Sequence, residues 1–195
     1  MSDPWQFNTI ASGGLNILPD DLRYFNDYFV GKPMRSSWND LPKYTLAGRS
    51  RQKNDFLVWH TAAPVASERA LSVLRSTSPT DFESLPFPDI LGSKYYAINV
   101  IAISDCIDFN NSEIQFYGDK EYGVPRRIVL KSALAIPFGI FKMKRIPGYV
   151  FVSDQLANRL IDEGLTGLGL TKLSTDVLAR AVLGKTQNDH PGLET

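Results

Sequence analysis

The densest group of side chains capable of chemistry lies in the segment SDCIDFNNSE, residues 104–113. Asp105, Asp108 and Ser112 supply oxygen atoms there, and calcium and magnesium prefer oxygen ligands. Asp108 and Glu113 could also serve as the acid and the base of sugar hydrolysis. However, the spacing and the glycine of an EF-hand loop are missing, and acidic side chains in polar turns commonly cap backbone amides. The segment predicts a polar turn, with an ion site or a small hydrolase as alternatives.

Other common catalytic and metal-binding patterns find little support in the sequence. The chain has two histidines and a single cysteine, Cys106, whereas a structural zinc site takes four Cys or His ligands. A Ser–His–Asp triad would have to use His60 without any nucleophile-elbow sequence. The segment LGKTQ (183–187) resembles the end of a phosphate loop, but Ala179 occupies the position of the required glycine. We therefore predict no enzyme activity, no metal and no cofactor.

The charges of the chain balance overall but are unevenly placed. There are 21 basic and 21 acidic residues, yet the stretch from Tyr122 to Ser153 contains six basic residues and no acidic one. One interpretation is a solvated strand face, because cations alternate with apolar residues in IFKMKR (140–145). The other is a surface that attracts an acidic partner, an anionic ligand or nucleic acid. A nucleic-acid binder is usually basic as a whole, which argues against nucleic acid here.

Serine residues at the ends of two apolar runs predict that a strand passes directly into a helix at both places. Ser67 and Ser153 are good N-caps, since a serine hydroxyl can accept a hydrogen bond from a free amide of the first helical turn. Gly164 is expected to end the second helix in a left-handed conformation. The residues predicted to share the buried face of that helix are Leu156, Leu160 and Ile161.

Apolar runs and turn residues predict the remaining elements. Residues 94–103 predict a central strand, because they are apolar on both faces. The proline-rich passage 78–92 predicts irregular structure, and residues 34–54 an exposed connection. The other predicted elements are helices at 19–33 and 171–184 and strands at 56–59, 113–118, 126–136, 139–145 and 168–171.

Strands outnumber helices in this assignment and are grouped along the chain, which favours the α+β class. We expect a mainly antiparallel or mixed sheet with three to four flanking helices. The length predicts a single domain over residues 1–184 and a flexible polar tail over 185–195. Without an apolar run of membrane-spanning length or a secretory signal, and with one cysteine, the chain is expected to be cytoplasmic.

The order of these segments resembles family eleven of the immunity proteins of bacterial polymorphic toxin systems. The resemblance covers about residues 30–172 and depends on the number and order of the matching segments, because none is a catalytic signature. The matching segments are GKP followed by Trp38, DFLVW (55–59), VASERALSVL (65–74), YYAINVIAISDCIDFNNSEI (95–114), IFKMK (140–144) and FVSDQLANRLIDEGLTGLGL (151–170).

This resemblance implies an antitoxin that binds and blocks a cognate toxin domain, encoded by an adjacent gene, without a reaction of its own. Exposed tyrosine and arginine side chains commonly anchor such interfaces, and lysines add attraction to an acidic partner. Self-association is left open. The candidate partner contacts are Tyr117, Lys120, Tyr122, Arg126, Arg127, Lys142, Lys144 and Arg145.

Overall fold

A computed structural model describes residues 3–10, 14–38, 43–48, 52–116, 122–131 and 136–173 of the chain. The helices in these ranges are α1 (Arg23–Tyr28), α2 (Glu68–Thr77) and α3 (Asp154–Asp162), with one 3₁₀ turn at Arg35–Ser37. The strands are β1 (Trp5–Thr9), β2 (Asn16–Pro19), β3 (Tyr44–Ala47), β4 (Phe56–His60), β5 (Ala63–Ser67), β6 (Phe82–Ile90), β7 (Ser93–Val100), β8 (Ile103–Ser104), β9 (Glu113–Phe116), β10 (Gly123–Arg127), β11 (Ile140–Met143), β12 (Val150–Val152) and β13 (Leu168–Lys172).

Two larger sheets form the body of the described structure. The first has the strand order β4-β5-β7-β6 and is antiparallel throughout. The second has the order β13-β1-β12-β11-β8, in which only the β8–β11 pair is parallel. Two two-stranded sheets lie outside these: β2 paired with β3, which α1 and the 3₁₀ turn separate in the chain, and the hairpin β9–β10. This arrangement places the polar turn at 104–112 and the basic segment around one hairpin and one sheet edge.

Each larger sheet has buried side chains on both of its faces. In β4, Phe56 packs in the core beneath α2 and α3, whereas Leu57 packs in a second core with α1. In β11, Ile140 joins the first core and Phe141 joins a third core beside the polar turn. Strands that are covered on both sides need apolar residues at nearly every position. The prediction of a central strand is confirmed for residues 94–100, since β7 lies between β5 and β6. It is wrong for residues 101–103, because β7 ends at Val100 and Ile103 begins the edge strand β8 of the other sheet.

The two predicted strand–helix junctions are also confirmed. The Ser67 hydroxyl accepts a hydrogen bond from the Ala70 amide, and the Ser153 hydroxyl accepts one from the Leu156 amide, both at 3.2 Å. Gly164 ends α3 with a φ of +61°. The Leu165 amide then donates to the Leu160 carbonyl at 3.3 Å, as in a Schellman motif. One detail was wrong, because Ile161 is 51% exposed and Ala157 takes its place in the core.

The predicted fold class is wrong in its balance. Of the described residues, 43% lie in strands and 18% in helices, so this part of the chain is mostly β, with several sheets rather than one main sheet. Its three helices agree with the three to four that we expected. Distant pairing is the physical reason. Residues 16–19 pair with residues 44–47. From the sequence, residues 16–18 were expected to be loop, Pro19 the start of a helix, and residues 44–47 part of an exposed connection. Tertiary partners decide the state of such short segments more than their own propensity does.

The proline-rich passage shows the same effect. We expected irregular structure at residues 78–92, but β6 extends over nine residues there. It is an edge strand, where prolines are tolerated because outward-facing amides need no ladder partner. The indole nitrogen of Trp38 donates to the Pro86 carbonyl at 2.8 Å and covers part of that edge. The predicted helix at 171–184 and the predicted tail at 185–195 lie almost entirely outside the described residues.

Candidate functional site

The polar turn after β8 uses the carboxylate of Asp108 to hold its own backbone. Asp108 accepts hydrogen bonds from the amides of Asn110 and Asn111 at 3.0 and 3.3 Å. Its second oxygen accepts from the Asn111 side chain at 2.7 Å, and this bond is the main reason that the pKa of Asp108 is lowered. The Ser112 hydroxyl exchanges hydrogen bonds with the amide and the carbonyl of Val129. These contacts fix the turn against the chain that follows β10.

Asp105 lies on the surface beside this turn and is paired with two lysines. One carboxylate oxygen lies 3.0 Å from the Lys131 ammonium and the other lies 3.3 Å from that of Lys144. The two lysines, Lys131 foremost, lower the pKa of Asp105. In the part of the chain that the structure describes, no three His, Cys, Asp or Glu side chains form a group that could hold a metal ion. Asp105 thus balances part of the positive charge around it.

The β9–β10 hairpin presents several of the candidate contacts. Tyr122 and Val124 are 36% and 43% exposed, and Arg126 extends from the same strand into solvent. The Arg126 guanidinium donates to the Gln115 side chain at 2.8 Å, and Arg127 pairs with Glu113 at 3.2 Å. Both contacts are solvent-exposed, so they orient the arginines and contribute little to stability. The hairpin therefore offers an aromatic, an aliphatic and two cationic side chains within a few residues.

Arg145 forms a separate contact beneath this hairpin. Its guanidinium carbon lies 4.3 Å from the centroid of the Phe116 ring and 5.3 Å from that of Phe109. The Arg145 carbonyl accepts a hydrogen bond from the Gly123 amide at 2.8 Å, which ties the turn after β11 to the hairpin. The two aromatic partners were not among the candidate residues. Only the fold brings them to Arg145, because Phe116 lies 29 positions and Phe109 lies 36 positions away in the sequence.

Lys142 does not belong to this surface. The alternation of cations and apolar residues in β11 is real, but the Lys142 face meets the protein interior and not solvent. The Lys142 side chain is fully buried and donates to the carbonyls of Ala62 and Pro147 at 2.9 and 2.5 Å. Burial lowers its pKa to about 7. Because an enclosed side chain cannot touch a partner, Lys142 is removed from the candidate contacts.

The remaining candidates divide into three groups. The turn residues Lys144 and Arg145 adjoin the hairpin residues Tyr122, Arg126 and Arg127 through the bond between Arg145 and Gly123. Asp105, Asp108 and Ser112 form the polar turn next to them. Tyr117 and Lys120 lie outside the described residues. Val124 was not among the residues predicted from the sequence. The signal that could have found it is the alternation of exposed and less exposed positions along residues 113–116 and 123–127.

Comparison with known families decides which protein class this chain represents. The model of the Immunity protein family (Imm11) matches residues 31–175, about three quarters of the chain. The chain belongs to this immunity protein family. The matched range includes the polar turn, the β9–β10 hairpin and the turn that carries Arg145. A search of curated proteins finds none that matches the chain. Within the described ranges, no helix is long and apolar enough to cross a membrane.

Proposed function

We propose that this protein is a cytoplasmic immunity protein of a bacterial polymorphic toxin system. It binds a cognate toxin domain, encoded by an adjacent gene, and neutralises it by covering its active site or an essential neighbouring surface. It carries out no reaction of its own. The observation that carries this proposal is the family match over residues 31–175, since the members are described as immunity proteins.

The surface chemistry is consistent with a role in protein binding. Interfaces of high affinity are anchored by a few tyrosine, tryptophan and arginine side chains that lose water on binding. The hairpin offers Tyr122 and Arg126 in exposed positions beside the apolar Val124. Protection inside a cell demands sub-nanomolar affinity, equivalent to a binding free energy of about −12 kcal/mol or better. We propose that the hairpin and the adjoining turn, with Lys144 and Arg145, form part of the toxin interface.

The alternative function, that of a small hydrolase, gains no support from the polar turn. A general acid or base needs a carboxylate that is free to exchange a proton with a substrate. The Asp108 oxygens accept three hydrogen bonds from Asn110 and Asn111, and Asp105 lies between two lysine ammonium groups. These hydrogen bonds and ion pairs lower the pKa of each carboxyl group, so that it stays charged, and they give both side chains a structural role. We therefore propose binding without catalysis.

Co-expression tests the proposal. The toxin domain from the adjacent gene is placed under an inducible promoter, with this chain or an unrelated immunity protein on a second plasmid. We expect growth to be restored only by this chain, and a complex to co-purify with it. Failure of both rescue and complex formation would contradict the proposal. A titration of purified toxin should reach full inhibition at one equivalent, because occlusion is stoichiometric. Inhibition at a small fraction of an equivalent would instead indicate turnover.

A further inference from the structure

Arg145 occupies a backbone conformation that suits glycine better than arginine. Its φ is +68°, in the left-handed region, where the Cβ atom of an L-residue crowds the following carbonyl. The turn itself is closed by the Ile146 amide, which donates to the Met143 carbonyl at 3.1 Å. Folding alone would favour a glycine or an asparagine at this position. Strained conformations of this kind persist where the surrounding structure enforces them, commonly at functional positions.

The side chain of Arg145 is held in place while remaining exposed. Its guanidinium carbon lies over the Phe116 ring, 4.3 Å from the centroid, and 5.3 Å from the centroid of the Phe109 ring. The Phe116 ring in turn rests on Gly123, where any added Cβ would come within 2.9 Å of the ring. A guanidinium that stacks on rings keeps the N–H groups along its edge for hydrogen bonding. Arg145 is therefore fixed before any partner arrives.

Among the described residues, the charges near Arg145 are paired with other partners. Lys144 is paired with Asp105, and Arg127 with Glu113. In the described part of the chain, no carboxylate lies within ion-pair distance of Arg145. A planar guanidinium matches a carboxylate through two parallel hydrogen bonds, and this is among the strongest polar contacts that proteins make.

We infer that Arg145 anchors the complex by binding a carboxylate side chain on an acidic surface of the toxin domain. This inference rests on the proposed function. A protein carboxylate fits better than the phosphates of a nucleic acid, because the chain has no net charge whereas a nucleic-acid-binding domain is usually basic as a whole.

The test uses variants that separate binding from folding. Arg145→Gly and Arg145→Asn both suit the left-handed backbone, so we expect melting temperatures within about 3 °C of the wild type. Affinity for the purified toxin domain should fall about 30-fold or more, as for the loss of a central interface anchor. Arg145→Lys keeps the charge but loses the planar fork, and should recover only a small part of that loss. Arg23→Ala removes an exposed arginine of α1 and should leave affinity unchanged.

The outcomes distinguish this inference from the proposal on which it rests. A wild-type complex whose affinity changes less than threefold in Arg145→Gly and Arg145→Asn would overturn the inference alone. Absence of any wild-type complex would overturn both. The dissociation constant should also depend less on salt in Arg145→Asn than in the wild type, which a purely structural role would not produce. Arg145-dependent binding of a 20-nucleotide single strand at physiological salt, without an effect on the toxin complex, would contradict the protein partner.

Discussion

At the scale of single residues, Lys142 has the most unusual environment in the described structure. Its amine joins two turns that are distant in sequence, through the carbonyls of Ala62 and Pro147. A neutral amine has two N–H groups, which match these two acceptors. The ring of the neighbouring His60 is stacked on that of Phe25, with the two centroids 4.2 Å apart. Burial, and to a smaller extent the charge of Lys142, lowers the pKa of His60 to about 4. Both side chains therefore favour the uncharged state inside the protein.

The lowered pKa of Lys142 predicts a pH-dependent stability. Between pH 7 and pH 10.5 the unfolded lysine binds a proton that the folded one lacks, so stability rises with pH by up to about 1.4 kcal/mol per unit. His60 adds nothing in this window, because its own contribution is complete above pH 6.5. Urea unfolding should be measured for the wild type and for Lys142→Met from pH 7 to pH 9. The free energy of unfolding of the wild type should rise relative to that of Lys142→Met as the pH increases. A constant difference would contradict the prediction.

At the scale of elements, the two capped helices carry the signal that is easiest to trace from sequence to structure. Each begins where a buried strand ends, and each is capped by the hydroxyl of the serine that immediately precedes its first residue. The two caps differ in one respect. The Ser67 hydroxyl also donates to the Asp55 carboxylate at 3.1 Å, whereas no second partner of the Ser153 hydroxyl occurs among the described contacts.

This difference predicts unequal costs of removing the caps. Ser153→Ala should lower the free energy of unfolding by about 1 kcal/mol. Ser67→Ala should cost more, roughly 2 kcal/mol, because it also deprives a half-buried carboxylate of a donor. Chemical denaturation of both variants measures the effect. Ser72→Ala, at an exposed position within α2, serves as the control and should be neutral or slightly stabilising. Equal costs at the two caps would argue against the role of Asp55.

At the scale of the whole molecule, Asp55 connects the two larger sheets. It lies just before β4 and accepts hydrogen bonds from Ser67 and from the amide and hydroxyl of Thr166, which precedes β13. Arg69 of α2 pairs with it at 2.9 Å and also donates to the Glu163 carbonyl near the end of α3. A single carboxylate thus holds together the starts and ends of elements from both sheets.

Loss of this connection should destabilise both sheets together. Asp55→Ala leaves several partly buried donors without an acceptor, and we expect a cost of about 2–4 kcal/mol. Hydrogen exchange should show faster opening in β4 and in β13. Glu113→Ala breaks an exposed ion pair with Arg127 and is the matched control, for which we expect no measurable change. Faster exchange confined to β4 would show that Asp55 supports only its own strand.

The sequence by itself determined the features that depend on neighbouring residues. The caps at Ser67 and Ser153, the left-handed end at Gly164 and the backbone-capping role of Asp108 all use hydrogen bonds within a few positions of one another. The central position of β7 also followed from its composition, because a strand covered on both faces must be apolar throughout.

Only the tertiary structure decided the rest, because the deciding contacts join residues that are far apart in the chain. Lys142 meets Ala62 across 80 positions, so the polar face of β11 is enclosed rather than solvated. Arg145 meets Phe116 across 29 positions, and this turns one of several surface cations into a fixed one. Alternation along a strand tells which side chains share a face. Whether that face meets water or another layer of protein depends on what packs against it, and no local pattern contains that information.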